Sequence, residues 1–236
     1  MRIILVDERI SETIERSLYK LGVRPVRLPN DPCLGEAVRS HPDTLIFHHD
    51  KILITTADYC DVASYIFSDI REMTEDVKIS FTADIRGDKS PLDCRMNALV
   101  IGNRIFCNEK YVSAAIIEYA NKNGLKVIHT NQGYPACTTL AFGNNAITAD
   151  CGMAKTLQNE GVNVLLITAG QIALPPHEYG FIGGASVVIV RKVCFYGDIK
   201  RHPDGEAIIS FIGESGFEAI SLSDEPLVDF GGGIVL

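Results

Sequence analysis

Short apolar runs recur along the chain at a nearly constant interval. Thr44-Leu45-Ile46-Phe47, Ala98-Leu99-Val100-Ile101, Thr139-Leu140-Ala141-Phe142, Val187-Val188-Ile189-Val190 and Ile234-Val235-Leu236 each follow a polar or Gly-rich approach. Their starts lie 54, 41, 48 and 47 residues apart. A period of this size marks a repeated supersecondary unit. Every run but the last leads through a tight polar turn to a second β-rich run: Ile52–Thr55, Arg104–Cys107, Ala146–Thr148 and Val193–Tyr196. Gly102-Asn103 and Gly143-Asn144-Asn145 supply the positive φ that so short a hairpin loop demands. Apolar residues then fall at helical spacing, as in Val112, Ala115, Ile116 and Tyr119. Gly124 and Gly161 stand where a helix C-cap is expected. A further strand closes each unit, at Val77–Phe81, Leu125–His129, Val162–Thr168 and Phe217–Leu222.

The last unit holds only a first strand, Ile234–Leu236, and the N-terminal segment supplies the rest. Arg2–Val6 reads as its second strand, Ser11–Leu21 as its helix and Val23–Leu28 as its closing strand. The pattern predicts one α/β domain over residues 1–236, with five strand–strand–helix–strand units closed into a ring by the two chain ends. Closure pairs strands that would otherwise be edges. Strands alternating with helices also suggest an open doubly wound sheet. Three strands per helix, with a hairpin in every unit, do not fit such a ladder.

Charge narrows the function. The net charge is −8 and no Lys/Arg run occurs, so no nucleic-acid partner is expected. The longest apolar runs, such as Val162–Thr168, are too short to span a bilayer, so no membrane partner is expected either. Met1–Asp7 reaches an acidic residue at once and reads as a strand, not as a signal peptide. The 7 cysteines are odd in number and form no C-x-x-C, which favours reduced thiols in a cytoplasm over a disulfide framework or a zinc ribbon. Gly180–Gly184 precedes a strand, whereas phosphate loops open a helix, so no cofactor is expected. His48-His49-Asp50 reads as a solvated turn with no metal. Asp204, in His202-Pro203-Asp204-Gly205, reads as a helix N-cap.

In a ring, the approaches to the first strands converge near the axis. Aligning the units places Asp43, Asn97, Thr138, Ser186 and Gly233 at one equivalent position. Acidic groups there outnumber basic ones, which favours a small cationic or guanidinium-like ligand.

His41-Pro42-Asp43 leading into a strand resembles the His-x-Asp of the guanidino-group-modifying enzyme superfamily, the pentein or β/α-propeller fold. The five-unit pattern and the approaches Phe181-Ile182-Gly183-Gly184-Ala185 and Phe230-Gly231-Gly232-Gly233 carry the same likeness. Gln132–Cys137, Tyr179–Gly184 and Leu222–Leu227 further resemble a bacterial family of unassigned activity with that fold. The resemblance implies a five-fold pseudo-symmetric propeller. It also implies a hydrolase or transferase in which a cysteine attacks a guanidinium carbon, a histidine moves the proton and carboxylates grip the nitrogens. His41 matches the histidine and Asp43 the aspartate.

The superfamily's cysteine follows the last Gly-rich approach, yet here Gly231-Gly232-Gly233 leads into Ile234-Val235-Leu236. Cys137, entering the first strand of its own unit, is the best substitute and Cys94 the second; Cys107, Cys151 and Cys194 read as packing residues. The expected site is therefore Cys137 as nucleophile and His41 as acid/base, with Asp43, Arg95, Asn97, Glu225 and Asp229 binding substrate. Two other readings stay open. The missing last-unit cysteine suits a non-catalytic binding module, and the axial carboxylates with His41 suit a metal-dependent hydrolase.

Overall fold

A computed structural model describes residues 2–74 and 76–236; Met1, which opens the first predicted strand string, lies outside them. The chain begins with β1 (Arg2–Asp7), α1 (Glu12–Lys20) and β2 (Val23–Leu28), followed by the single turn α2 (Pro42–Leu45). The next unit holds β3 (Ile46–His49), β4 (Ile52–Thr56), α3 (Ala57–Val62), α4 (Ser64–Met73) and β5 (Lys78–Thr82). A third comprises β6 (Leu99–Ile101), β7 (Arg104–Cys107), α5 (Ala114–Lys122) and β8 (Lys126–His129). A short α6 (Pro135–Thr138) introduces the fourth: β9 (Thr139–Phe142), β10 (Asn145–Thr148), α7 (Cys151–Asn159) and β11 (Asn163–Leu166). The fifth has β12 (Ser186–Ile189), β13 (Lys192–Phe195), α8 (Gly205–Glu214) and β14 (Glu218–Ser221), and β15 (Ile234–Val235) ends the chain.

These strands form five three-stranded sheets among the described residues. In four of them, the middle strand runs antiparallel to the strand across its hairpin and parallel to the strand after its helix, as in β3–β4–β5. The remaining sheet joins the chain ends: β15 pairs antiparallel with β1, Val235 opposite Ile4, and β1 pairs parallel with β2. Local chemistry sets the boundaries. Ser11 accepts from Ile14 N at the start of α1, Asp150 accepts from Met153 N at the start of α7, and Gly161 follows α7 at φ +75°.

Two expectations shift. The strand read from Thr44 begins at Ile46, because Pro42 fixes φ for a helical turn and Thr44 Oγ1 donates back to His41 O at 3.0 Å. Asp204 precedes α8 but makes no cap bond; its carboxylate accepts from Thr168 N at 2.6 Å, tying α8 to the chain beyond β11.

The core lies between the sheets and follows from the two-residue period of a strand. Ile3 and Leu5 of β1 pack with Leu45, Leu53 and Phe67, while Ile4 and Val6 pack with Val187, Ile189 and Tyr196. Ile54 faces Ile105 and Ile116; Phe106 faces Ala146 and Leu157; Ile147 faces Val193 and Phe195. Each middle strand thus feeds two clusters, one per face, and each neighbouring pair of sheets shares one.

The approaches to the first strands are joined the same way. Asp43 N donates to Gly231 O at 3.2 Å, and Asn97 Nδ2 donates to Asp43 O at 3.3 Å. Ala136 N donates to Asn97 Oδ1 at 2.9 Å, Gly184 N to Cys137 O at 3.0 Å, and Gly232 N to Gly184 O at 2.8 Å. The path returns to where it began. Among the described residues no helix is long and apolar enough to cross a membrane.

Candidate functional site

Glycine makes room for the polar residues that meet inside this circuit. A Cβ on Gly184 would lie 1.9 Å from Asp229 Oδ1, and one on Gly231 would lie 2.3 Å from His41 Cβ. Gly231 also holds φ +67°, where an L side chain is strained. The Gly-rich approaches are therefore seats for a buried acid and a buried imidazole. Asp229 is fixed by Gly231 N at 2.9 Å on Oδ1 and by Phe181 N at 2.8 Å on Oδ2. The Cys137 thiol donates to Oδ2 at 3.5 Å. His41 Nδ1 stands 3.8 Å from Asp229 Oδ1, and its Nε2 stands 3.7 Å from Asp7 Oδ2. Both ring nitrogens are buried without a hydrogen-bond partner.

The four groups carry unequal charge. Burial would raise the Asp7 carboxyl, but the paired bonds from Arg9, at 2.9 and 2.7 Å, together with His41 hold it below its ordinary value. Burial pulls His41 down against the attraction of Asp229 and Asp7, so the imidazole is neutral at pH 7. Burial and the neighbouring Asp229 charge push Asp43 well above the usual carboxylate range. The Asp43 residue keeps some exposed surface, yet both carboxylate oxygens are buried without a hydrogen-bond partner. Cys137 is raised well above 9.0 by burial, then by Asp229 and Asp43. The cluster at rest is a thiol among carboxylates, with its one cation, Arg9, already committed to Asp7.

The structure brings His41, Asp43, Cys137 and Asp229 together, with Asn97 bridging the approaches beside them. Two predicted site residues lie elsewhere. Arg95 Nη1 donates to Tyr111 O at 2.9 Å, so its guanidinium braces the turn before α5. Glu225 is exposed: the chain is still in the outer turn after β14, where Glu225 O accepts from Asp198 N at 2.7 Å. It reaches the axis only at Asp229. Asp7 and Arg9 were not predicted. The available signal was a carboxylate closing an otherwise apolar middle strand, where β4, β7, β10 and β13 end on Thr56, Cys107, Thr148 and Phe195.

His48 and His49 lie on β3, not in a solvated turn; His48 Nε2 meets Asp50 O at 2.7 Å and His49 Nδ1 meets Tyr119 Oη at 2.8 Å. Cys107 and Cys194 are buried as packing residues, their thiols pushed up to about 12 by burial, whereas Cys151 is exposed at the start of α7.

Two cavities flank the cluster. One, about 590 Å³, is walled by the five first strands and touches the cluster only through Asp43. The other, about 530 Å³, has Cys137 in its wall together with Tyr134, Tyr179 and Phe181 from the connecting loops. The second meets the cluster at Cys137 and opens among the connecting loops, a common position for a ligand cavity. One ligand atom from each of His41, Cys137 and Asp229 lies within 4.8 Å of the others. Such a nitrogen, sulfur and oxygen set also fits a divalent transition metal.

Three solved structures share this architecture. Dimethylarginine dimethylaminohydrolase from Pseudomonas aeruginosa, complexed with citrulline, is 12% identical and superposes with a TM-score of 0.57, covering 94% of this chain and 92% of its own. Agmatine deiminase from C. jejuni with substrate bound is 8% identical, with a TM-score of 0.54 over 95% of this chain and 90% of that one. An amidinotransferase from Microseira wollei, in the saxitoxin biosynthetic pathway, is 12% identical with a TM-score of 0.53 over 88% and 72%. No curated protein matches the sequence. The fold is the α/β pentein fold that these enzymes share. Within it, the chain belongs to the family of unknown function DUF6873, whose model matches residues 5–234.

Proposed function

We propose that the five sheets are the blades of a single five-fold propeller domain closed by the chain ends, and that its axial cluster modifies a guanidine or amidine in a reducing cytoplasm. The circuit of approach-segment hydrogen bonds and the core clusters shared between neighbouring sheets support the propeller. The observation that carries the chemistry is the meeting of His41, Cys137 and Asp229 beneath a cavity. A guanidinium entering there supplies the cation the cluster lacks. Its charge against Asp229 and Asp43 offsets their effect on Cys137 and favours the thiolate. The Cys137 proton passes to the neutral His41, the thiolate bonds to the guanidinium carbon, and a carbon–nitrogen bond breaks as His41 gives that proton to the departing nitrogen. Water adds to the same carbon, its proton passes to His41, and the carbon–sulfur bond breaks to free the thiolate and a urea-type product. In a transferase an acceptor amine takes the place of water.

Ammonia or amine release from a panel of alkylguanidines tests this. Cys137→Ala should lower turnover at least about a thousand-fold; unchanged turnover rejects the nucleophile. The raised Cys137 thiol favours a second reading, a binding module without chemistry. Under that reading the unaltered chain binds guanidines and releases nothing. The donor set motivates a third, a metal-dependent hydrolase, which turnover surviving a chelator rejects.

A further inference from the structure

The cavity above Cys137 carries negative groups at two depths. Its wall carries four carboxylates, Glu36, Asp88, Asp93 and Glu178, and no Lys or Arg among the described residues. The cation that reaches the Glu36–Ala37 segment of that wall is committed: Arg9 binds Asp7 and donates to the backbone carbonyls of Glu36 at 3.4 Å and Ala37 at 2.7 Å. Asp93 sits deeper. Its Oδ2 accepts from Tyr134 Oη at 2.7 Å, while its Oδ1 is buried with no partner. Glu36, Asp88 and Glu178 are exposed and come from three separate loops, so they ring the mouth. An unpartnered acceptor at depth and a carboxylate rim both seek positive charge. A ligand carboxylate would meet like charge from all four, with His177 the wall's one imidazole among the described residues.

We infer that this cavity takes an aminoalkyl guanidine or amidine without a carboxylate, its guanidinium at Cys137 and its amine at the rim, and that it excludes amino acids bearing the same guanidinium. The inference rests on the guanidine reading of the axial cluster. Two probes isolate it, because 4-aminobutylguanidine is arginine without its carboxylate. Calorimetric titration of the full chain carrying Cys137→Ser, which prevents turnover, compares them with 1,4-diaminobutane. The titrations are run at about pH 8, where imidazoles are neutral.

The diamino-type guanidine should bind at least about tenfold more tightly than arginine, since several rim charges act together. The ratio should shrink in high salt. It should also fall towards one in the chain that also carries Glu36→Gln and Glu178→Gln, whose exposed positions leave folding intact. Equal or tighter binding of arginine, or a ratio unmoved by the rim substitutions, overturns this inference and leaves the guanidine reading standing. Failure of both guanidines to bind overturns both. Tighter binding of 1,4-diaminobutane than of 4-aminobutylguanidine removes the guanidine reading and this inference with it.

Discussion

Two buried groups of charged residues solve the same problem in opposite ways. Arg86 and Asp31 are in direct contact, with side chains 2% and 1% exposed. The Arg86 guanidinium also lies 5.4 Å from the centre of the Tyr59 ring, and Asp31 Oδ1 accepts from Cys33 N at 2.9 Å. Each charge there has its counter-charge within the chain. Along the axis only Asp7 does, through Arg9. Asp229 is held by backbone N–H groups, Asp43 by no hydrogen bond to its carboxylate, and His41 and Cys137 are kept uncharged by burial. A buried pair that is complete ties loops together. A buried set that lacks a cation is arranged for one arriving from outside.

Breaking the complete pair should have the largest effect on stability. Arg86→Ala strands the Asp31 carboxylate in the interior, and urea unfolding should show a loss of about 3–5 kcal/mol. Replacing both residues by apolar ones of similar size should recover most of that. A loss well under 1 kcal/mol for the single change would mean that water reaches the pair.

The axial cluster should respond more in function than in stability. In Gly184→Ala the new methyl meets the Asp229 carboxylate, which two backbone N–H groups hold in place. The cost should be about 1–3 kcal/mol by overpacking, with loss of guanidine binding as Asp229 is displaced. Gly213→Ala, in α8 with nothing within 4 Å of the added Cβ, serves as control and should be neutral or slightly stabilising. Unimpaired ligand binding by the Gly184 variant would detach Asp229 from the site.

The sequence displayed the architecture more fully than the chemistry, for a physical reason. Strand alternation, hairpin glycines and helix caps are local, so Val23–Leu28, Arg104–Cys107 and Thr139–Phe142 can be placed from their own residues. The pairing of β15 with β1 was legible because each end lacks what the other has. His41, Cys137 and Asp229 stand on approaches that a ring must bring together, and they meet. Glu225 was misplaced because the reach of a polar loop cannot be read from its composition. Asp7 and Arg9 escaped notice because their partner is not a neighbour in sequence: only folding sets Asp7 against His41. The glycines at 180, 184 and 231 marked the approaches, but not what they make room for.

The smallest expected effect separates the axial residues from one another by pH. Burial holds His41 below its ordinary 6.5, so the unfolded chain takes up a proton that the folded chain refuses. Stability from this residue is complete above pH 6.5 and declines as the pH falls from there towards the folded value. Asp43 works in the other direction. Its folded pKa lies above the ordinary 3.8, so its contribution is complete at low pH and is lost as the pH rises from 3.8 to the folded value. Across mildly acidic pH the two oppose each other, and the unaltered chain should show a shallow profile. Asp43→Asn removes one side of the balance. Urea midpoints for that variant should fall on going from about pH 7 to about pH 5. His41→Gln should show the reverse slope. Parallel profiles for the two variants would mean that neither residue's proton affinity differs between the folded and the unfolded chain, and that water reaches the axial cluster as it reaches a surface group.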